Sequence, residues 1–258
     1  MENRKYFVVS DIHSFYDELT VALSTAGFDI NNPNHILVSC GDLLDRGKQP
    51  LECLKFVLSL PSSRRILIRG NHEDLLEMCF KRKKFERHDV HNGTMTTIYR
   101  LAGQDTDDGF WLGNISDNVI IEKAQNNAML KEYLASLVDY AEVEQYIFVH
   151  GWIPCNTDDC DQYHSNDVHY EYKSNWRESN KNDWDYARWI NGMDAHNQGV
   201  KENGKTIVCG HWHTSWGHSK LEKKSLADYS PYIKDGIVAI DGCVALSHTI
   251  NCLVLDIG

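Results

Sequence analysis

Five short motifs follow one another along this chain, and each begins where a run of strand-forming residues ends. In order, they are Asp11-Ile12-His13, Gly41-Asp42-Leu43-Leu44-Asp45-Arg46-Gly47, Gly70-Asn71-His72-Glu73, His150-Gly151-Trp152 and Gly210-His211-Trp212-His213. Helical patterns follow each of the first three strands, so the chain alternates strand and helix up to residue 80. This alternation predicts an α/β fold with a parallel sheet, and it places the motifs at the carboxyl ends of the strands.

The rest of the chain predicts further strands at residues 145–149, 206–209, 237–240 and 252–256, and we expect the last two to close a second sheet. Residues 155–204 are rich in Asp, Asn, Tyr and Trp, and we interpret them as an insertion that borders the site and determines substrate choice. Its tryptophans are expected to form local core. Because motifs from residue 11 to residue 213 would serve one site, we predict a single domain over residues 1–258.

Charge and hydropathy narrow the classes of partner. The formal charge of −11 argues against a protein that binds nucleic acid through a general positive field. The sequence contains no apolar run of membrane-spanning length and no apolar signal segment near residue 1, so we expect a cytoplasmic protein with no membrane partner. No pattern in the sequence predicts an oligomeric state.

The motifs supply the ligand types of a two-metal site that attacks phosphate esters. Asp42 lies between the other ligand sources in the chain and is the candidate bridging ligand, while Asp11 and His13 would hold one cation. The candidate ligands of the other cation are Asn71, His150 and His211. His213 would either reach the first metal or point at the substrate. This ligand set favours two Mn²⁺ ions, with iron, Zn²⁺ or Mg²⁺ as alternatives.

The remaining motif residues indicate how turnover would proceed. A hydroxide that bridges the two metals would attack phosphorus in line. His72 directly follows a candidate metal ligand, but its own side chain is free of the metals in this scheme. We predict that it protonates the leaving oxygen. Asp45 would accept a hydrogen bond from His72 and orient it, and the planar guanidinium of Arg46 would hold two phosphate oxygens.

The motif set resembles the phosphoprotein-phosphatase branch of the calcineurin-like metallophosphoesterases. The patterns Asp-x-His, Gly-Asp-x-x-Asp-Arg-Gly, Gly-Asn-His-Glu, His-Gly and Gly-His match in order, and the resemblance covers residues 6–213. It implies an αββα sandwich of two mixed sheets. It also implies phosphate contact by Arg46, acid catalysis by His72 with support from Asp45, and metal roles for Asp11, His13, Asp42, Asn71, His150 and His211.

The sequence departs from the family pattern in three places. Ser10 and Ser14 flank the first motif where the family usually has glycines, and Trp152 stands where a second glycine is usual. His213 is common in the wider superfamily but often missing in this branch, so it is a candidate both for metal binding and for substrate phosphate. No motif matches the family's further phosphate-binding arginine, and Arg188 is our candidate for that role.

Three functions fit the sequence. The first is hydrolysis of phosphomonoesters on protein serine and threonine, with tyrosine as an alternative, so the partner would be a phosphorylated protein or a small phosphoester. The second is hydrolysis of dinucleoside polyphosphates such as diadenosine tetraphosphate, which would need an aromatic face and a polar edge reader beside the metals. The third is a non-catalytic interaction module on the same fold, which the full ligand set disfavours.

Overall fold

The computed structural model describes residues 4–104, 115–157 and 168–257. These residues form eleven strands, numbered in chain order: β1 (Arg4–Val9), β2 (His35–Ser39), β3 (Arg65–Leu67), β4 (Ala141–Val143), β5 (Tyr146–Phe148), β6 (Asn156–Thr157), β7 (Tyr170–Glu171), β8 (Thr206–Cys209), β9 (Tyr232–Lys234), β10 (Ile237–Ala239) and β11 (Leu253–Ile257).

Nine of these strands form two mixed sheets. The first sheet has the order β11-β1-β2-β3, in which β1, β2 and β3 are parallel and β11 is antiparallel to β1. The second has the order β4-β5-β8-β10-β9, in which β5, β8 and β10 are parallel and both edge strands are antiparallel. Each sheet therefore has three parallel strands whose carboxyl ends lie along one edge.

The two sheets pack face to face because successive side chains of a strand point to opposite faces. Tyr6 and Val8 of β1 belong to the core between the sheets, where they pack with Phe148 and Val208 of the second sheet. Phe7, from the same strand, packs instead with the helices outside the first sheet. The hydrophobic pattern of the strands is thus continuous rather than alternating, as expected for strands that are buried on both faces.

The described residues also form eleven α-helices: α1 (Tyr16–Thr25), α2 (Pro50–Ser59), α3 (Asn71–Arg82), α4 (Arg87–His91), α5 (Thr94–Leu101), α6 (Asp117–Gln125), α7 (Ala128–Ala135), α8 (Lys181–Ala187), α9 (Gly192–Asn197), α10 (Thr214–Lys220) and α11 (Val244–Ser247). Two short 3₁₀ turns lie at Ser62–Arg64 and Trp176–Glu178. Helices α1 to α3 and α5 to α7 cover the first sheet, while α8 and α9 cover the second. The predicted αββα sandwich is therefore confirmed. None of the helices in the described ranges is long and apolar enough to cross a membrane.

The prediction that both late strands close the second sheet is wrong for one of them. β10 does lie in the second sheet, but β11 pairs with β1 at the edge of the first, where Leu255 is opposite Tyr6. Leu255 is buried in the core between the sheets together with Tyr6. The chain therefore crosses back from one sheet to the other after α11, which local periodicity cannot show.

The segment at residues 155–204 packs on the second sheet. Its described residues form the β6–β7 pair, a 3₁₀ turn and helices α8 and α9, while residues 158–167 lie outside the described part of the chain. Trp176 and Trp184 are buried in the outer core of the second sheet, as expected from the sequence. The assignment of all 258 residues to a single domain stays a prediction.

Candidate dinuclear metal centre

The predicted ligands meet at the carboxyl edges of the two sheets. Oδ2 of Asp42 lies 3.4 Å from Nε2 of His150 and 3.8 Å from Nε2 of His13. Two groups of ligand atoms, each within 4.8 Å of one another, share this carboxylate: Asp42 with His150 and His211, and Asp42 with His13 and His72. In the first group, His150 and His211 are predicted ligands of one cation. In the second group, His13 is a predicted ligand of the other cation. Asp42 thus occupies the shared position that the bridging role requires.

Backbone conformation turns these side chains inward. Asp11, His13, Asp42 and His211 all have left-handed backbone conformations, with φ of 50°, 50°, 54° and 67°. Such conformations are costly for residues other than glycine and tend to cluster at functional sites. They let the chain turn sharply at the strand end, so that Asp11 and His13, two residues apart, both face Asp42.

Glycines allow the motifs to approach one another. A Cβ atom on Gly70 would overlap both the carboxylate and the backbone nitrogen of Asp42, and a Cβ on Gly210 would overlap the side chains of Ser10 and Asp11. Gly70 therefore lies where two motifs of the first sheet meet, and Gly210 lies where a motif of the second sheet meets one of the first. The Ser10 hydroxyl, at a position where the family pattern has glycine, donates a 2.5 Å hydrogen bond to Oδ2 of Asp11.

Three of the candidate imidazole ligands are each oriented by a backbone carbonyl. His13 Nδ1 lies 3.1 Å from the oxygen of Leu44, and His150 Nδ1 lies 2.7 Å from the oxygen of Cys40. His211 uses its other nitrogen, with Nε2 3.1 Å from the oxygen of Trp189. One nitrogen of each ring is thereby left to face the cluster, as is usual for histidines that bind metals. Nε2 of His150 lies 2.8 Å from Oδ1 of Asn71, so the predicted amide ligand belongs to the same group.

Glu73 stabilises the backbone around Asp42 through hydrogen bonds. One of its oxygens accepts the backbone N–H groups of Gly70 and Asp42 at 2.8 and 3.1 Å, and the other accepts the Leu43 N–H at 3.1 Å. The hydroxyl of Tyr133 donates to the same carboxylate at 2.9 Å. Oδ1 of Asp42 in turn accepts the backbone N–H of His72 at 2.9 Å. These bonds fix the second and third motifs relative to each other.

The electrostatics of the cluster suit cations. Burial raises the pKa of Asp11, and the nearby Asp42 carboxylate raises it further. Burial opposes ionisation of Asp42 as well, but His150 and His72 outweigh it and hold its pKa well below the usual value. Burial lowers the pKa of His211 to about 3, so this imidazole is neutral and can act as a ligand. Two buried carboxylates and the neutral imidazole of His211, all within ligand reach, fit a pair of divalent cations.

His72 lies beside the cluster and is held by a buried carboxylate. Its Nδ1 donates to Oδ2 of Asp45 at 2.9 Å, and the Thr94 hydroxyl donates to the same oxygen at 2.7 Å. Burial alone would lower the pKa of His72, but the carboxylates of Asp42 and Asp45 outweigh burial and raise it. Nη2 of Arg46 lies 3.3 Å from the outward-facing Nε2 of His72. The structure thus brings together the predicted acid, its orienting carboxylate and the predicted phosphate-binding arginine.

A cavity of about 340 Å³ opens over these groups. Its wall includes Asp11, Asp42, Arg46 and His72, together with His213. His213 belongs to neither of the two ligand groups. Burial lowers the pKa of His213, and the Arg46 charge lowers it further. Both proposed roles of His213, as metal ligand and as phosphate contact, stay predictions.

The structure places Arg188 away from this cavity. The side chain is buried, with only 4% exposed, and its guanidinium contacts three carboxylates. Nη1 lies 2.9 Å from Asp74 and 2.8 Å from Asp185, and Nη2 lies 2.6 Å from Asp139. A guanidinium bound in this way has few donors left for a phosphate. We therefore leave Arg188 out of the phosphate site proposed below.

Sequence reasoning missed four residues at the site. Asp241, at the end of β10, is buried and lines the cavity, and burial together with the Asp11 charge raises its pKa well above the usual value. Its position directly after a strand was the available signal. Trp189 also lines the cavity, with its ring centroid 5.7 Å from that of His211. Thr94 and Tyr133 come from helices far along the chain, and no local pattern marks them.

Comparisons with known proteins agree with this geometry. The profile described as calcineurin-like phosphoesterase matches residues 4–215. The chain is 34% identical over 103 residues to the asymmetrical bis(5'-nucleosyl)-tetraphosphatase PrpE of Bacillus subtilis (strain 168), covering 37% of this chain and 41% of that protein. It is 42% identical over 67 residues to the symmetrical bis(5'-nucleosyl)-tetraphosphatase of Psychromonas ingrahamii, covering 26% and 23%. The chain thus spans less than half the length of these curated relatives.

A solved structure shares the fold. The cold-active protein-tyrosine phosphatase of a psychrophilic Shewanella species superposes with a TM-score of 0.54 at 16% identity, covering 98% of this chain and 75% of that one. At this identity the likeness concerns the fold alone. The profile match, by contrast, extends over most of the chain and includes every strand end that carries a predicted metal ligand. The chain belongs to the calcineurin-like phosphoesterase family.

Proposed function

We propose that this protein hydrolyses phosphate esters or anhydrides at a dinuclear metal centre formed by Asp11, His13, Asp42 and the ligands Asn71, His150 and His211. The observation that carries the proposal is the sharing of Asp42 between two groups of ligand atoms. Divalent cations held there would polarise the phosphoryl group and supply an activated water. The metal-free alternative, an interaction module, would not need this complete set of buried ligands.

The chain's own residues provide the remaining parts of the reaction. Arg46 would bind the non-bridging phosphate oxygens through its planar guanidinium. As water attacks phosphorus, the bond to the leaving oxygen breaks, and His72 would donate the proton on Nε2 to that oxygen. Asp45 binds Nδ1 and so leaves Nε2 as the nitrogen that faces the reacting group. His72 would then regain a proton from the attacking water, which completes the cycle.

Among substrates we propose a dinucleoside polyphosphate as the first candidate. Trp189 provides an aromatic surface beside His211, and the amide of Asn92 lines the same cavity. These are the aromatic face and the polar edge reader that an adenosine site requires. The curated relatives named above are bis(5'-nucleosyl)-tetraphosphatases, which supports the same choice.

A phosphomonoester on a protein side chain is the second candidate, because the His72–Asp45 pair favours it. A serine or threonine alkoxide is a poor leaving group that needs a proton as it departs, whereas a phosphate leaving group needs one much less. The pair is buried and well oriented, with Nδ1 of His72 2.9 Å from Asp45. A site equipped in this way would serve the more demanding leaving group.

The products of hydrolysis decide between the two candidates, because a phosphopeptide releases inorganic phosphate and a dinucleotide releases two nucleotides. Purified protein would be loaded with Mn²⁺ and given phosphoserine and phosphothreonine peptides in one series and diadenosine tetraphosphate in another, with a chelator-treated control. We expect metal-dependent cleavage of the dinucleotide, with products resolved by chromatography. Faster turnover of the peptides would favour the second candidate, and no turnover of either by metal-loaded protein would contradict the proposal. The preference for manganese and the cytoplasmic location stay predictions.

A further inference from the structure

A second cavity adjoins the metal cavity. It has a volume of about 760 Å³, within the range of small-molecule sites, and it lies between α3 and α8. Leu75, Asn92 and Trp189 line both cavities. A substrate whose phosphorus lies over the metals can therefore extend past Trp189 into this second space.

The carboxylates in the second cavity are paired with cations. Asp74 and Glu77 lie 2.7 and 2.6 Å from the guanidinium of Arg69, and Asp185 lies 2.6 Å from the ammonium of Lys181. Arg188 adds a contact to two of these acids, at 2.9 and 2.8 Å. This pairing offsets the negative charge of the wall, so an anion can enter. The buried arginine thereby acts on the cavity through the acids that it neutralises.

One cationic side chain at this cavity, that of Lys81, has no acidic partner among the described residues. Lys81, in the last turn of α3, is exposed and lines the cavity. Within the described ranges, no carboxylate oxygen lies within 4.0 Å of its ammonium. Its charge is thus available to a ligand phosphate.

Part of the remaining wall is aromatic and apolar. Tyr186 and Trp189 are three residues apart, at the end of α8 and in the turn that follows, and both line the cavity together with Met78. Aromatic surfaces of this kind pack against the faces of planar rings. An aromatic wall next to an available ammonium matches a ligand that has a base at one end and phosphate at the other.

We propose that this second cavity, bounded by Lys81, Tyr186 and Trp189, binds the nucleotide that departs when a dinucleoside polyphosphate is cleaved. The inference rests on the proposed hydrolysis of dinucleoside polyphosphates and assigns a binding site to one half of that substrate. The base would pack between the aromatic residues and Met78, and Lys81 would bind phosphate oxygens of the departing half. A phosphopeptide lacks the planar base that this wall accommodates.

The first test compares two substrates. For wild type, Lys81→Ala and Lys81→Glu, kcat/KM would be measured with diadenosine tetraphosphate and with p-nitrophenyl phosphate, which is too small to span both cavities. We expect the ratio of the two values to fall about tenfold in Lys81→Ala and further in Lys81→Glu. Lys84→Ala is the matched control, because Lys84 is an exposed lysine close to Lys81 in the sequence that does not line the cavity. An unchanged ratio in both Lys81 variants would overturn the proposal.

The second test needs no turnover, so it separates failure of this inference from failure of the proposed function. Equilibrium dialysis would measure binding of the β,γ-methylene analogue of ATP, of tripolyphosphate and of a phosphoserine peptide to the Mn²⁺-loaded protein. We expect the analogue to bind more tightly than tripolyphosphate. We also expect its affinity to fall about tenfold in Lys81→Glu. Lys81-dependent binding of the peptide alone would assign the cavity to a protein segment and overturn the nucleotide proposal. Equal binding of the analogue and tripolyphosphate would also overturn it.

Discussion

Nδ1 of His72 lies 2.9 Å from Oδ2 of Asp45, and both side chains are buried beside the candidate metal ligands. Because a carboxylate can only accept, this contact requires a proton on Nδ1. Nε2 is then the nitrogen that faces Asp42, at 3.9 Å, and the cavity. The relationship keeps one proton on Nδ1 of His72, so the proton that the charged ring transfers is the one on Nε2.

We predict that Asp45→Asn lowers kcat on a serine phosphoester by roughly 10²-fold, since an amide can present N–H to Nδ1 and stabilise the wrong tautomer. The loss should be smaller on p-nitrophenyl phosphate, whose leaving group needs little protonation. Metal content, measured by elemental analysis, should stay at the wild-type level because Asp45 belongs to neither ligand group. Steady-state kinetics on the two esters provides the measurement.

The double variant Asp45→Asn/His72→Asn tests whether the two residues act as one unit. If they do, the double variant should be no slower than His72→Asn alone, because Asp45 acts only through His72. Additive losses would show that Asp45 has a separate role. Asp256→Asn, at an exposed acid on β11, is the control for a general effect of removing a carboxylate.

That the candidate ligands lie close together could be predicted from the sequence, because strand ends determine their positions. Asp11, Asp42 and Asn71 follow the three parallel strands of the first sheet, and parallel strands end at a common edge whatever the details of their packing. Helix α2 could also be predicted from the sequence. Pro50 begins it, and the buried Cys53, Leu54 and Val57 recur at helical spacing.

Contacts over long sequence separations could not be predicted in this way. No sequence motif identifies a second phosphate-binding arginine. The ion pairs of Arg188 with Asp74 and Asp139 depend on how α8 packs against α3, which is far away in the chain. Thr94 reaches Asp45 across 49 residues for the same kind of reason. The sheet that β11 joins was likewise decided by tertiary packing rather than by its own pattern.

Arg46 provides a second kinetic prediction. We expect Arg46→Ala to raise KM and lower kcat for a phosphomonoester, with kcat/KM falling roughly 10- to 100-fold, because the exposed guanidinium lines the metal cavity and lies 3.3 Å from His72. Arg46→Lys should restore only part of the loss, since an ammonium cannot hold two oxygens in one plane. Arg87→Ala removes an exposed arginine outside the cavity and should leave the kinetics unchanged. Equal kcat/KM for wild type and Arg46→Ala would remove this residue from the phosphate site.

Metal binding should release protons, and His150 is their source. Burial would lower the pKa of this imidazole, but the Asp42 and Asp11 carboxylates and the Cys40 carbonyl raise it to about 10 in the metal-free protein. At pH 7 the ring is therefore protonated, and a cation at Nε2 must displace that proton. Apparent affinity should rise with pH by up to about tenfold per unit below pH 10. Calorimetric titration with Mn²⁺ in two buffers of different ionisation enthalpy measures the release, and equal heats in both buffers would contradict it.

The hydroxyl of Tyr133 should contribute to stability through Glu73. It donates the fourth hydrogen bond to a buried carboxylate that also accepts three backbone N–H groups. Tyr133→Phe leaves Glu73 with one partner fewer and should lower the free energy of unfolding by about 1–2 kcal/mol. Urea denaturation of the metal-free protein gives this value, with Tyr16→Phe as the control because no hydrogen bond of the Tyr16 hydroxyl is found within the described ranges. If both variants unfold at the wild-type urea concentration, the carboxylate of Glu73 is fully satisfied by the backbone alone, and Tyr133 only packs against it.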